Sequence, residues 1–221
     1  SKIGGDFVGH SENLTAFSFY ATKNITTGEG GMLTGKLEYV DRARVLALHG
    51  MSKGAWNRFA KGASWKYDVP EPGFKYNMTD VAAAMGLVQL ERLPELFERR
   101  MKIVDIYRKE FAGSPYLKIL KTLPGYQTSW HLFLILLNLE ALKINRDEFI
   151  ERLQEANIGC SVHYRPVHMM SFYAKKYDWT PESFPNAARA FDRMISIPLS
   201  SKMEERDAYD VVEAVNSICK S

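Results

Sequence analysis

A single lysine separates an apolar run from a glycine-rich segment near the start of the chain. The run at residues 17–20 is followed by Lys23, two threonines and the sequence GEGG at residues 28–31. A lysine that forms an imine must be held rigidly and must lose its proton readily, which a strand end and partial burial favour. Glycines let the backbone approach a flat ligand closely, and Ser18 offers a hydroxyl to a phosphate. Together these groups are the ones that pyridoxal phosphate (PLP) needs.

The same residues also have a plainer interpretation. A lysine beside a hairpin turn is usually exposed and hydrated, and one lysine near glycines is weak evidence for a site. A P-loop is excluded, because residues 28–31 are not followed by Gly-Lys-Ser/Thr. From these residues alone, an exposed lysine and a cofactor lysine both stay open.

The elements that would position Lys23 are a hairpin and a helix. Residues 15–20 have the composition of a short buried strand, and residues 31–34 that of its hairpin partner. The spacing of apolar residues predicts a helix over residues 38–49. Residues 50–76 lack periodicity and are expected to form a long loop, which in a compact protein is usually functional or binds a partner.

Two further helices are expected to meet near Pro94. Asn77 or Thr79 can cap the first of them, which opens with Asp80, and the second is expected to end at Gly113. The face of the second helix is expected to bury Phe97, Met101, Val104 and Phe111.

The rest of the chain is predicted to alternate strands and helices. Strands are expected at residues 130–139, 158–164 and 195–198, and the first is apolar throughout, as a central strand is. Capping boxes formed by Asn145 with Glu148 and by Ser201 with Glu204 are expected to open two helices. The residues predicted to face inward on these helices are Phe149, Ile150 and Leu153, then Val211, Val212, Val215 and Ile218. The pattern predicts an α/β fold, with a boundary between two structural units near Pro94.

The composition is that of a globular protein and argues against several other classes. The net charge of +3 over 221 residues is too small and too evenly spread to indicate a nucleic-acid partner. Cys160 and Cys219 are the only cysteines, so we expect a reducing, cytoplasmic compartment and no disulfide framework. Cys160 and His163 lack a second pair of ligands, so no metal site is expected. No apolar run reaches the ~18 residues of a membrane span, and no membrane partner is expected.

The segment around Lys23 resembles the cofactor-lysine signature of the DegT/StrS sugar aminotransferases, which are PLP enzymes of fold type I. The resemblance starts from SFYATKNITTGEGGMLTG, residues 18–35. Further segments resemble the family in the family's own order, at residues 72–95, 129–135, 157–168 and 184–199. The resemblance covers essentially the whole chain. It implies an α/β fold like that of aspartate aminotransferase.

The resemblance also implies a domain organisation. The chain would be the C-terminal part of such an enzyme. Residues 1–95 would be the remnant of the large PLP-binding domain, with a loop that crosses to the partner subunit of a homodimer. Residues 96–221 would be the small C-terminal α/β domain.

Roles for single residues follow from the same resemblance. Lys23 would bind the cofactor covalently and then move a proton between substrate and cofactor. Ser18 would bind the cofactor phosphate, and Asn77 would reach that phosphate from the other subunit. A helix cap is the alternative role of Asn77. The candidates on the sugar-nucleotide side are His163, Tyr164 and His168.

Some of the aromatic and histidine residues have structural alternatives. A hydrogen-bonded polar residue is the alternative for the two candidate histidines, and it is favoured for His131, which lies in an apolar segment. The aromatics of the long loop are expected to pack at a dimer interface rather than stack on a base. They are Trp56, Trp65, Tyr67 and Tyr76.

The implied reaction is transfer of an amino group from an amino acid, typically glutamate, to a keto group of a nucleotide-linked deoxysugar. Residues 74–78 and 129–133 are most similar to members that aminate position 4 of UDP-linked sugars. Related dehydratases carry histidine where Lys23 stands, which argues against that activity. Family members are longer, and the aromatic and acidic residues that would hold the cofactor ring have no counterpart here. We therefore expect a C-terminal fragment, inactive alone, of an active parent; a non-catalytic protein of the same fold is the alternative.

Overall fold

The computed structural model describes residues 1–52 and 67–221, and the chain divides into two compact units. Ser1–Leu93 and Pro124–Thr128 form the first unit, and Pro94–Leu123 and Ser129–Ser221 form the second. Most of the predicted long loop, with Trp56 and Trp65, lies outside the described residues. Within the described residues, no helix combines the length and hydropathy that crossing a membrane requires.

The secondary structure alternates strands and helices along the chain. In chain order the elements are β1 (Lys2–Ile3), β2 (Asp6–Phe7), β3 (Thr15–Ser18), β4 (Gly31–Thr34), α1 (Leu37–Ala47), α2 (Asp80–Glu91), α3 (Leu93–Glu110), β5 (Leu117–Ile119), β6 (Tyr126–Gln127), β7 (Phe133–Leu137), α4 (Arg146–Glu155), α5 (Ser171–Tyr177), α6 (Pro185–Phe191), β8 (Met194–Ile197) and α7 (Glu205–Lys220).

The hairpin that precedes and follows Lys23 is confirmed. β3 pairs antiparallel with β4, from the pair Thr15–Thr34 to the pair Ser18–Gly31. The expectation that the first strand is buried was wrong, because most of β3 is exposed. Among the described residues β4 is its only strand partner, so the other edge of β3 has no neighbouring strand to cover it. β1 forms a separate small sheet with β2 and β6.

The first three helices of the chain begin close to the predicted positions. Thr79 caps α2, and its side chain accepts a hydrogen bond from the N–H of Ala82 at 3.2 Å. The cap is therefore Thr79 and not Asn77, whose side chain is left for other contacts. α2 gives way to α3 at Pro94, as predicted. α3 ends at Glu110, before the left-handed Gly113.

The core of the second unit lies between an antiparallel sheet and the three helices α3, α4 and α7. The strand order is β5-β7-β8, and the central position of β7 confirms the prediction for residues 130–139, although the strand is shorter. The capping box of Asn145 and Glu148 is present at α4. The fully buried side chains of this core include Ile103, Val104, Tyr107, Phe133, Ile135, Phe149, Leu153, Ile195 and Val215.

Two predictions for the second unit were wrong. Residues 158–164 do not form a strand, because they pair with β8 only at the bridge between Ser161 and Ser196. Pro166 follows closely and has no N–H with which to continue a ladder. The last helix is capped by Glu204 with Asp207, rather than by Ser201 with Glu204. The Asp207 carboxylate accepts from the N–H of Glu204 at 2.8 Å, which fixes the later start.

Two buried polar side chains tie α3 to the chain around β7 and β8. The Tyr107 hydroxyl donates to the carbonyl of Pro198 at 2.8 Å, and burial, with a smaller effect of Asp207, raises its pKa. The Arg100 guanidinium donates from Nη1 to the carbonyls of Trp130 and Leu199, at 3.3 and 2.9 Å. Neither contact follows from helical periodicity, which placed only apolar residues on this face.

Candidate active site

Lys23 lies in the turn that directly follows β3. Its backbone N–H donates to the carbonyl of Tyr20 at 2.9 Å, and the N–H of Tyr20 donates to Ser18 Oγ at 3.3 Å. Lys23 is half-buried and Ser18 is exposed. These bonds hold the lysine and the hydroxyl in one turn, which is the rigidity that chemistry at a lysine needs.

The two threonines after Lys23 close the turn. Thr26 Oγ1 donates to the carbonyl of Phe19 at 3.0 Å and accepts from the N–H of Gly28 at 2.9 Å. The N–H of Thr27 donates to the same carbonyl at 3.0 Å, and Thr27 Oγ1 donates to the carbonyl of Glu29 at 2.6 Å. Sequence reasoning gave these threonines no role. Their position between a lysine and glycines could have predicted this role, because threonine hydroxyls often form hydrogen bonds with nearby backbone groups in turns.

Two of the glycines are required by packing inside the turn. A Cβ on Gly31 would lie 2.7 Å from the carbonyl oxygen of Phe17, on the paired strand. A Cβ on Gly30 would lie 2.5 Å from Thr27 Oγ1 and 3.0 Å from Met78 Cε. The hairpin therefore needs glycine at these positions whether or not a ligand also approaches them.

Gly31→Ala is expected to destabilise the first unit by about 1–3 kcal/mol, the usual cost of overpacking, because a carbonyl oxygen cannot rotate away. Urea unfolding measures the change. Gly159→Ala is the control: no atom lies within 4 Å of its Cβ position, and its backbone is outside the left-handed region. The control should stay within about 0.5 kcal/mol of the parent. Equal midpoints for the two variants would contradict the close contact at Gly31.

The glycine-rich turn packs against α2 and the residue before its cap. The N–H of Thr26 donates to Gln89 Oε1 at 3.3 Å, and a Cβ on Gly86 would lie 3.2 Å from Thr27 Cγ2. Met78, which approaches Gly30, directly follows Asn77. Within the first unit, the segments carrying Ser18, Lys23 and Asn77 are thus in contact.

The side chain of Asn77 is half-buried and partly engaged. Its Oδ1 accepts from Lys75 Nζ at 2.5 Å, and its Nδ2 donates to the carbonyl of Met78 at 3.4 Å. The second Nδ2 proton has no acceptor among the described residues. Asn77 can therefore still donate one hydrogen bond to a ligand.

The donors in this part of the first unit fit a phosphorylated carbonyl cofactor. Lys23 supplies a primary amine for the carbonyl, and Ser18 and Asn77 supply neutral donors for a phosphate. Ser18 Oγ accepts from Tyr20, and no described residue accepts its O–H proton, so that proton is left for a ligand. The chemistry of the residues agrees with pyridoxal phosphate.

The structure joins two of the three candidate residues of the second unit. His163 Nδ1 lies 2.7 Å from Ser196 Oγ, and its ring makes a T-shaped contact with the ring of Tyr164, with centroids 4.7 Å apart. Tyr164 is 66% exposed. His168 is buried against Phe184, with centroids 4.9 Å apart, and its Nε2 has no hydrogen-bond partner in the described chain. Sequence reasoning did not single out Ser196.

The other candidates that lie in the described part of the chain form no further site. Tyr76 is 75% exposed and stacks on Phe74 at 4.9 Å, and Tyr67 is also exposed. Burial raises the pKa of the Cys160 thiol and raises that of Cys219 to about 11, which lowers the thiolate fraction of both near neutral pH. Across residues 1–52 and 67–221, no group of three His, Cys, Asp or Glu side chains is arranged as metal ligands would be.

Residues 1–216 match the DegT/DnrJ/EryC1/StrS aminotransferase family. The chain belongs to this family. It is 44% identical to the spore coat polysaccharide biosynthesis protein SpsC of Bacillus subtilis, over 96% of this chain and 55% of that protein. The chain thus spans about half the length of its curated relatives.

Solved structures of the family agree with the fold. The sugar aminotransferase Spr1654 from Streptococcus pneumoniae, in its pyridoxamine phosphate (PMP) form, matches with a TM-score of 0.87 at 33% identity. The match covers 99% of this chain and 56% of that one. The sugar aminotransferase CalS13 from Micromonospora echinospora matches with a TM-score of 0.82 at 28% identity, over 98% and 55% of the two chains. Spr1654 is also known in a PLP form.

These similarities confirm the fold class and the cofactor of the family. The α/β arrangement is that of part of a PLP-dependent sugar aminotransferase, and pyridoxal phosphate is the cofactor that the family uses. The roles of single residues and the assignment of residues 1–95 and 96–221 to the family's two domains stay predictions.

Proposed function

We propose that the protein transfers an amino group from an amino acid, with glutamate as the expected donor, to the keto group of a nucleotide-linked deoxysugar. A UDP-linked 4-keto sugar is the expected acceptor. The observation that carries the proposal is the turn that fixes half-buried Lys23 next to Ser18. Membership of an aminotransferase family supports the reaction class. The polysaccharide role in the name of SpsC supports a sugar acceptor.

Each of the three candidate residues of the first unit has a definite task in this proposal. When bound, pyridoxal phosphate stabilises negative charge on the carbon from which the amino group is transferred. Lys23 Nζ would hold the cofactor through its carbonyl carbon, and the free amine would accept the proton from the substrate carbon and deliver it to the cofactor carbon. The Ser18 hydroxyl binds the phosphate of the cofactor held by Lys23, and the free Nδ2 proton of Asn77 binds the phosphate in the partner subunit's site. The dipole of α2, which begins just after Asn77, favours negative charge there.

The second unit supplies the proposed contacts to the sugar nucleotide. His163 and Tyr164 share one surface through their packed rings, so they act as a pair in the proposal. His168 is buried, and its contribution requires a ligand or side-chain rearrangement that reaches Nε2. We further propose a homodimer, in which Asn77 serves the partner's phosphate, and a cytoplasmic location.

Borohydride trapping with pyridoxal phosphate, followed by peptide mass mapping, tests the proposal. The experiment is run in parallel on this chain and on the complete gene product. A reduced cofactor adduct on Lys23 is expected in the complete product, together with parallel-line, ping-pong kinetics for glutamate and keto sugar. A folded complete product with no adduct on Lys23 would sink the aminotransferase proposal and favour a non-catalytic protein of this fold.

A further inference from the structure

Ser196 lies in β8 and fixes the segment that carries His163. Its backbone N–H donates to the carbonyl of Ser161 at 2.7 Å, and its carbonyl accepts from the N–H of Ser161 at 3.1 Å. Its side chain is directed at the same segment, with Oγ 2.7 Å from His163 Nδ1. Ser196 is 5% exposed, so this hydroxyl has little access to water.

The direction of the hydrogen bond follows from counting partners. A hydroxyl can donate one bond and accept others. Within the described chain, His163 Nδ1 is the only hydrogen-bond partner of Ser196 Oγ. If Nδ1–H donated to the hydroxyl, the buried O–H proton would have no acceptor, which is unfavourable. The hydroxyl therefore donates, Nδ1 carries no proton, and the neutral ring keeps its proton on Nε2.

The ring of His163 is also limited in orientation. Tyr164 packs against it nearly perpendicularly, with an interplanar angle of 83°. His163 is half-buried, and no residue in the described ranges forms a hydrogen bond with its Nε2. The ring is thus held at Nδ1 and by its contact with Tyr164, with the Nε2–H left to an outside acceptor.

We propose that Ser196 is a positioning residue that holds His163 in the Nε2–H tautomer, so that neutral His163 donates a hydrogen bond to an oxygen of the sugar nucleotide. The proposal rests on the function proposed above, in which His163 contacts that substrate. The acceptor is a lone-pair oxygen, a sugar carbonyl, hydroxyl or phosphate oxygen. A bare Nε2 would instead select a donor, such as the ammonium group of the amino acid.

Long-range ¹H–¹⁵N correlation spectra of the histidine rings test the tautomer directly in this chain. The spectra are recorded at a pH high enough for the histidine rings to be neutral. The Nε2–H pattern is expected for His163, whose signals are assigned by their loss in His163→Gln. Ser196→Ala should give a mixture of tautomers, and Ser196→Thr, which keeps a hydroxyl, should restore the pattern. Ser161→Ala is the matched control, because its hydroxyl makes no hydrogen bond with the described residues and only its backbone pairs with Ser196. An Nδ1–H pattern in the parent, or no change in Ser196→Ala, overturns the proposal.

Kinetics of the complete gene product test the consequence for the substrate. Ser196→Ala should raise KM for the keto sugar roughly tenfold, in the range of one weakened hydrogen bond, and leave KM for glutamate unchanged. Ser196→Thr should recover most of the loss. A rise in KM for glutamate, or none for the sugar, overturns the substrate contact. A parent protein that turns over no keto sugar refutes the proposed function instead, and the tautomer result still decides whether Ser196 holds His163.

Discussion

Lys23→Arg is expected to lower kcat for amino-group transfer by about 10²–10⁴-fold in the complete gene product. This is the range for losing a general acid–base group. Arginine keeps the positive charge and the length, but its guanidinium does not lose a proton in proteins and forms no comparable covalent bond. The change is measured as kcat and as the yield of borohydride-trapped cofactor. The turn should survive, because the substitution leaves its backbone hydrogen bonds and those of Ser18, Thr26 and Thr27 in place.

A second lysine of the same unit provides the control. Lys36 lies outside the turn and forms an exposed ion pair with Glu12 at 3.3 Å, which Lys36→Arg preserves. This variant should keep the parent kcat. Lys23→Ala provides a further test, because removing the side chain leaves room for a small primary amine. Added methylamine should recover part of the activity of this variant. Full activity in Lys23→Arg would refute the role of Lys23.

The parts of the fold that were predictable depend on local patterns. β7 is central because its run of apolar residues can be buried on both faces, and α4 begins where Asn145 and Glu148 satisfy each other's backbone. α7 buries the predicted Val211, Val212 and Val215, since helical periodicity fixes a face even when the first residue is misjudged. The lysine-to-glycine turn was visible for the same reason, as its residues are neighbours in sequence.

The parts that were missed depend on distant partners or on competition between similar signals. Ser196 bonds to His163 across 33 positions, and Arg100 bonds to Leu199 across 99, distances at which spacing carries no information. At α7, Ser201 and Glu204 have the spacing of a capping box, but the bond from the N–H of Glu204 to Asp207 starts the helix three residues later. The expectation of a strand at residues 158–164 failed because strand pairing depends on the partner as well as on the segment.

Arg100→Met is expected to lower the free energy of unfolding of the second unit by about 2–3 kcal/mol, from two opposing terms. Arg100 is 7% exposed, and its pKa is lowered by burial, so carrying this charge opposes folding. Its two bonds to the carbonyls of Trp130 and Leu199 act the other way. Hydrogen bonds from charged groups contribute about 1.5–3 kcal/mol each, so we expect their loss to outweigh the relief of desolvation.

The neighbouring Arg99 makes the comparison sharp. Its side chain is 57% exposed and pairs with Glu95 at 2.7 Å one helical turn away, a contact that contributes about 0.3–0.5 kcal/mol. Arg99→Met should therefore shift the urea midpoint only slightly. Arg100→Lys separates charge from shape, because lysine keeps the cation but lacks the planar fork. If Arg100→Lys is as unstable as Arg100→Met, the fork geometry is what joins α3 to the segments around β7 and β8. If Arg100→Met is no less stable than Arg99→Met, desolvation cancels the two bonds and the stabilising role of Arg100 is refuted.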